Sequence, residues 1–274
     1  MEEIDLSTPD GRRLHAYSHG TGPHIVMWHH GTPNVGTPPA PLFEAAGRLG
    51  VRFISYDRPG YGGSTARPGR DVASAAGDAA AVADALGAGR FAVLGHSGGG
   101  PHALACAALL PDRVTTAVSI SGLAPFTGDD WFTGMGPAGQ ASLRAARRGR
   151  AAKQAHESAG AGAEPDFIPP DLAAFDGPWG WFGSVVEPAI ADGPAALIDD
   201  DLAYVNPWGF APLDVAVPTL LVHGTADRMV PARHSERLAG LIPGAQLRLV
   251  AGEGHISVLP AAAEDALYFS AAGS

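Results

Sequence analysis

The sequence predicts an α/β fold: a mostly parallel sheet of eight strands flanked by helices, with a helical cap inserted late in the chain. Three observations carry this. Short apolar runs alternate with helical patterns along most of the 274 residues, the rhythm of strand–helix–strand units. One of those runs leads through a glycine-rich turn directly into an Ala/Leu-rich helix. The alternation then breaks between about Pro125 and Pro207, where prolines and aromatics are dense and no convincing strand is found.

The first two strands, Ile4–Ser7 and Leu14–Ser18, are joined through Pro9-Asp10-Gly11 and read as an antiparallel hairpin at the sheet edge. His24–Trp28 and Val51–Tyr56 follow, separated by a helix over Pro41–Leu49. A helix over Val72–Leu86 leads to the strand Phe91–Leu94, and a helix over Pro101–Leu110 to the strand Val114–Ile120. After the break come the strand Thr219–Val222, a helix over Ser235–Leu241, the strand Gln246–Val250 and a last helix over Ala261–Phe269. A structureless loop of the length of the break is implausible inside a compact domain. The division is therefore a core of residues 1–124 and 208–274 with a helical cap over 125–207. Within the cap, Arg144, Arg147, Arg148, Arg150 and Lys153 recur at helical spacing and read as a solvated face. No internal repeat is visible.

Composition narrows the function classes. The formal net charge is −10, which argues against nucleic acid and anionic membrane surfaces as partners. The N-terminal stretch MEEIDLSTPDG lacks an apolar signal region, and no run reaches the roughly 18 apolar residues of a membrane span, so a cytoplasmic location is expected. The single cysteine, Cys106, excludes an internal disulfide and reads as a small buried apolar residue. Neither zinc-ligand spacing nor a phosphate loop is present, and no metal or cofactor is expected.

Gly95-His96-Ser97-Gly98-Gly99-Gly100 is the most informative stretch. It contains G-x-S-x-G between a strand and a helix, the context of a nucleophile elbow. So sharp a turn needs small neighbours, here Gly95 and Gly99, and it lifts the Ser97 hydroxyl clear of the sheet edge. A serine hydroxyl is a weak nucleophile at neutral pH and needs a base, which in turn needs an orienting acid. Strand-end loops later in the chain supply both. His255 lies in Gly252-Glu253-Gly254-His255 just after the last strand, and Asp227 in His223-Gly224-Thr225-Ala226-Asp227 after the strand before it. Asp129 and Asp130 are the fallback acids; Asp199, Asp200 and Asp201 lie in the cap. His223 and His96 read as structural. The oxyanion needs backbone donors: Gly98 after the nucleophile, and Thr32 in His29-His30-Gly31-Thr32-Pro33, because Pro33 has no N–H. In the cap, Trp131, Trp179, Trp181 and Phe182 are candidate pocket residues favouring hydrophobic substrates, although a small insert needs some aromatics simply to fold.

With these residues the chain resembles serine hydrolases of the α/β-hydrolase superfamily. His30-Gly31, the loop Asp57-Arg58-Pro59-Gly60-Tyr61-Gly62-Gly63-Ser64 and the His-Gly-x-x-Asp of His223–Asp227 add to the likeness, which covers essentially everything outside the cap. The Thr32-Pro33 and Asp57–Ser64 loops are similar to those of proline iminopeptidases, whose pattern has more glycines before the proline. The resemblance implies a cap after the sixth strand, no cofactor and a mainly structural Asp57–Ser64 loop. It also implies that serine at the nucleophile position argues against haloalkane dehalogenase and epoxide hydrolase chemistry, since those relatives use aspartate there. The expected function is cleavage of a carboxylic ester or lactone through an acyl-enzyme. Aminopeptidase and C–C bond hydrolase activity use the same triad, and a non-catalytic ligand-binding role on this fold stands as the reading from another class. The expected partner is a small-molecule substrate; the oligomeric state stays open.

Overall fold

Side chains of the central strands alternate between two separate apolar clusters, and this alternation organises the molecule. The computed structural model describes residues 1–159 and 164–273. Its strands are β1 (Glu2–Ser7), β2 (Arg13–His19), β3 (His24–His29), β4 (Val51–Tyr56), β5 (Phe91–His96), β6 (Val114–Ile120), β7 (Thr219–Gly224) and β8 (Gln246–Val250). They form one sheet in the order β1-β2-β4-β3-β5-β6-β7-β8. β1 pairs antiparallel with β2, Leu6 opposite Leu14, and β2 antiparallel with β4; every other pairing is parallel.

The helices are α1 (Phe43–Arg48), α2 (Ser74–Ala85), α3 (Gly99–Leu109), α4 (Pro137–Arg147), α5 (Arg150–Ser158), α6 (Pro169–Phe175), α7 (Phe182–Ile190), α8 (Ala195–Val205), α9 (Arg233–Leu241) and α10 (Val258–Ala272). Val26, Trp28, Phe53, Leu94 and Val222 face one side of the sheet and pack on α1 and α10. Their neighbours Met27, Ile54, Val93 and Leu221 face the other and pack on α2, α3 and α9. A two-residue period covered on both faces is what parallel strands require, and β5, β6 and β7 are accordingly buried along their whole length. β8 closes the edge and is largely exposed.

Between β6 and β7 the chain builds α4 to α8 and no strand among the described residues. This insertion has a cluster of its own, in which Trp131, Phe132, Leu143, Tyr204 and Trp208 pack with Val72 and Val230 of the sheet domain. In its basic stretch Arg147, Arg148 and Arg150 are exposed, as expected of a solvated face, and Lys153 departs from it. Lys153 is fully buried, with Nζ 2.6 Å from Asp201 and 2.5 Å from Glu157. A helix face pressed against α8 cannot leave an ammonium in water, so carboxylates must meet it there. Among the described residues no helix is long and apolar enough to cross a membrane.

Candidate active site

The turn from β5 into α3 is tighter than the sequence suggested. The strand continues to His96 and the helix begins at Gly99, leaving only Ser97 and Gly98 between them. Ser97 has φ +55°, a left-handed conformation unfavourable for a residue with a Cβ. Its amide donates to Ile120 O at 2.9 Å, which pins the turn to β6. A side chain at position 95 would stand 2.3 Å from Gly99 O, and one at position 99 would stand 1.9 Å from His29 O. Glycine at both positions is therefore a condition of the turn.

Asp227 hangs from the turn after β7. Its Oδ1 accepts the amides of Met229 (2.8 Å) and Val230 (2.9 Å), and its Oδ2 lies 2.7 Å from His255 Nδ1. His223 Nε2 approaches the same oxygen at 3.2 Å. Burial alone would raise this carboxyl, but the charge of His255 and the hydrogen bonds from both histidines hold it well below its ordinary 3.8. In the imidazole of His255 the balance is similar. Burial would lower it, while the charge and hydrogen bond of Asp227, helped by Asp171, carry it above 6.5. His96 Nε2 donates to His255 O at 3.0 Å, and burial drops the His96 imidazole to about 3, so that ring stays neutral. Among the described residues no hydrogen bond joins Ser97 Oγ to His255. The two residues meet as walls of the same cavities.

Thr32 and Gly98 stand on those walls as well. The Thr32 hydroxyl is turned into the protein: it donates to Asp200 Oδ2 at 2.7 Å and receives Arg58 Nη2 at 2.9 Å. The Tyr204 hydroxyl lies 2.7 Å from Thr32 Oγ1 and 3.1 Å from Gly98 O, joining the two residues expected to hold an oxyanion. Arg58 is buried and also donates to His30 O and, at 2.9 Å, to Gly31 O. The Asp57–Ser64 loop thus grips the Gly31–Thr32 loop through Arg58.

Sequence reasoning missed Asp171 altogether and named Asp200 only as an alternative acid in the cap. Asp200, on α8, is bound by Arg58 Nη2 (2.7 Å) and Arg70 Nη2 (2.6 Å). Burial would raise it, and the two guanidiniums outweigh that and hold it far below 3.8. Asp171, on α6, is fully buried, and its Oδ1 accepts the amides of Ile256 (2.8 Å) and Ser257 (2.9 Å), the residues after His255. The only trace of it in the sequence is Pro169-Pro170 opening a short helix. The alternative acids are elsewhere. Asp129 is exposed and paired with Arg144, Asp199 pairs with Arg70 and Arg150, and Asp201 pairs with Lys153.

Two cavities open on Ser97 and His255. One, of about 520 Å³, is walled by Phe167, Phe175, Phe182, Val186 and Ile256. The other, of about 600 Å³, runs past Leu123, Leu143 and Tyr204 to Ser142, Glu157 and Asp201. Of the four expected pocket aromatics only Phe182 is a wall. Trp179 is buried behind it, rings 5.9 Å apart, and Trp181 abuts it at 5.2 Å. Trp131 is on the far side, its Nε1 bonded to Ala124 O at 2.8 Å and its ring 4.8 Å from His234. The correction has a simple cause. Trp131 is taken by the insertion's own apolar cluster, while Trp179, with Trp181 against it, is taken by the cluster on one face of the sheet, so these rings are used for packing. Cys106 is buried, and burial raises its thiol, so it offers no thiolate. Among the described residues no cluster of histidine, cysteine and acidic side chains could hold a metal ion.

A family model described as the alpha/beta hydrolase family matches residues 17–268. The chain belongs to that family. Polyketide synthase ThaQ of Burkholderia thailandensis is 30% identical over 271 residues, a match covering 91% of this chain and 12% of that protein. An epoxide hydrolase of Caballeronia sordidicola is 31% identical over 124 residues, covering 44% of this chain and 37% of the relative. The matches thus cover well under half the length of either relative. A solved hydrolase from Pseudomonas aeruginosa superposes with a TM-score of 0.75 at 25% identity, covering 99% of this chain and 98% of the other.

Proposed function

We propose that this hydrolase is a cofactor-independent serine esterase that cleaves hydrophobic carboxylic esters or lactones through an acyl-enzyme. The observation that carries the reading is the closed Asp227–His255 bond beside a serine held at positive φ on the wall of the same cavity. Ser97 Oγ attacks the ester carbon and gives its proton to His255 Nε2. The Thr32 and Gly98 amides hold the resulting oxyanion, each such donor being worth about 2.7–4 kcal/mol of barrier. Collapse expels the alcohol, which takes the proton from His255. Water, deprotonated by His255, then attacks the acyl carbon and frees Ser97 and the acid. Absence of the Ser97–His255 bond fits this scheme, since such contacts commonly tighten only when substrate arrives. The insertion acts as a cap over Ser97, and its phenylalanine-lined cavity suits an apolar arm.

Epoxide hydrolysis is disfavoured by the same chemistry. A serine oxygen opening an epoxide would form an ether, which has no carbonyl for water to attack, and turnover would stop. An aminopeptidase would need free negative charge for the substrate amine. The carboxylates available in the cavity, Glu157 and Asp201, are already bridged by Lys153.

The test is labelling with a fluorophosphonate together with turnover of p-nitrophenyl esters. Mass spectrometry should place the adduct on Ser97, and Ser97→Ala should lose both the adduct and activity on the order of 10⁴-fold or more. A Ser97→Ala enzyme retaining a tenth of the activity would overturn the assignment.

A further inference from the structure

Asn34 follows the Thr32–Pro33 turn and belongs to the wall of the phenylalanine-lined cavity, along with Gly31, Ser97 and His255. It is 3% exposed, and its Nδ2 has no hydrogen-bond partner among the described residues. An amide buried without a partner costs free energy, and native structures keep such groups rarely and for a reason. Slack in the loop is not the reason, because its neighbours are tied down on both sides. Thr32 is held by Asp200 and Arg58, the Val35 amide donates to Val185 O at 2.9 Å, and the Gly36 amide donates to Asp57 Oδ1 at 2.6 Å. The chain on both sides of Asn34 is thus fixed, and the hydrogens of its amide Nδ2 are unspent. It is also near the nucleophile. A methyl group on Gly31 would stand 3.5 Å from both Asn34 Nδ2 and Ser97 Cβ, so the two are separated by no more than twice that length.

We propose that Asn34 is a specificity-determining residue, whose amide donates to an acceptor oxygen carried by the substrate close to the scissile carbonyl. This rests on the esterase reading of Ser97 and narrows it. The preferred ester has an apolar arm for the phenylalanine-lined cavity, interrupted by a carbonyl, ether or hydroxyl oxygen within the first few atoms from the carbonyl carbon. An unadorned alkyl arm would bury the amide without satisfying it, and sites built around a hydrogen bond discriminate strongly against substrates that lack it.

The experiment compares kcat/KM for two pairs of esters matched in length. In one pair an ether oxygen replaces a methylene near the carbonyl in the acyl chain; in the other it does so in the alcohol. Each ratio is measured for wild type, Asn34→Leu and Asn34→Asp. A ratio within one variant is independent of how much of it folds. Wild type should favour the oxygenated ester of one pair by about tenfold or more. Asn34→Leu should erase the preference, and Asn34→Asp should turn it against the oxygenated ester. Equal ratios in wild type and Asn34→Leu for both pairs would overturn the proposal. Calorimetric binding of the matched free acids and free alcohols reads the cavity without turnover. Should no ester be cleaved, a tighter Kd for an oxygenated acid or alcohol that is lost in Asn34→Leu still supports the amide's role, and equal Kd values overturn it. Loss of the esterase reading thus shows in turnover, loss of the Asn34 assignment in the ratios and affinities.

Discussion

At the scale of single residues, the role proposed for His255 as the base sets an expected pH behaviour. It must be neutral to accept the Ser97 proton, so activity rises as pH passes its pKa. Asp227, and behind it Asp171, place that pKa above 6.5. The acidic limb of kcat/KM for the free enzyme should therefore lie above 6.5, measured with an ester whose own hydrolysis is slow across the range. Asp227→Asn removes the largest upward influence and leaves the ring without its orienting acceptor. Its limb should move down in pH, and kcat should fall on the order of 10³–10⁴-fold. An unshifted limb in a folded Asp227→Asn enzyme would detach the pH dependence from this pair. The pocket is also decided residue by residue. Phe182→Ala should change the preference among acyl lengths, because Phe182 is a cavity wall. Trp179→Ala should chiefly lower stability, by about 3–5 kcal/mol, because Trp179 is buried in the core behind that wall. Selectivity ratios and denaturant midpoints for the two variants should separate these effects.

At the scale of elements, α6 reaches the loop that carries His255. Asp171 accepts the Ile256 and Ser257 amides, so the helix holds the backbone that carries His255. Asp171→Asn keeps the shape and one acceptor oxygen but removes the negative charge. Its acidic limb should shift down and kcat should fall, with KM little changed, and stability should drop by about 1–3 kcal/mol. A variant that lost stability with no shift of the limb would show that Asp171 only braces the fold. The contrast between Asp171 and the triad explains what the sequence could disclose. Ser97, Asp227 and His255 each close an apolar strand, with glycines nearby, and these signals lie within a few residues of the group itself. Strand and helix positions were legible for the same reason, since periodicity is local. Asp171 meets Ile256 across 85 positions and Asp200 meets Arg58 across 142. Such contacts leave no local pattern, and the insertion that supplies them has no strand rhythm to place it. The tryptophans misled because composition reveals that aromatics are present and not which way they face.

At the scale of the whole molecule, the insertion is joined to the sheet domain at the points where catalysis would occur. Asp171 ties it to the His255 loop, Asp200 and Tyr204 to the Thr32–Gly98 region, and Val185 O to the loop bearing Asn34. The contacts of Asp171, Val185 and Tyr204 are buried, and Asp200 adds buried ionic contacts to Arg58 and Arg70. Removing one partner of a buried ion pair strands the others, at a cost of about 3–5 kcal/mol. The insertion therefore cannot detach without leaving Arg58 and Arg70 uncompensated beside the Gly31–Thr32 loop, and a hinged lid that swings clear is not expected. Two consequences can be measured. Loss of activity, near-ultraviolet signal and far-ultraviolet signal in urea should coincide in one transition, because insertion and sheet domain share these contacts. Asp200→Asn should lower Tm by roughly 10 °C, the shift about 3–5 kcal/mol produces in a chain of this size. It should also slow turnover, because the Thr32 hydroxyl and the two guanidiniums would then compete for a single acceptor oxygen. Activity lost well before the far-ultraviolet signal would show instead that the insertion opens as a separate unit. In that case the ionic contacts at Asp200 would be too weak to couple the two halves of the site.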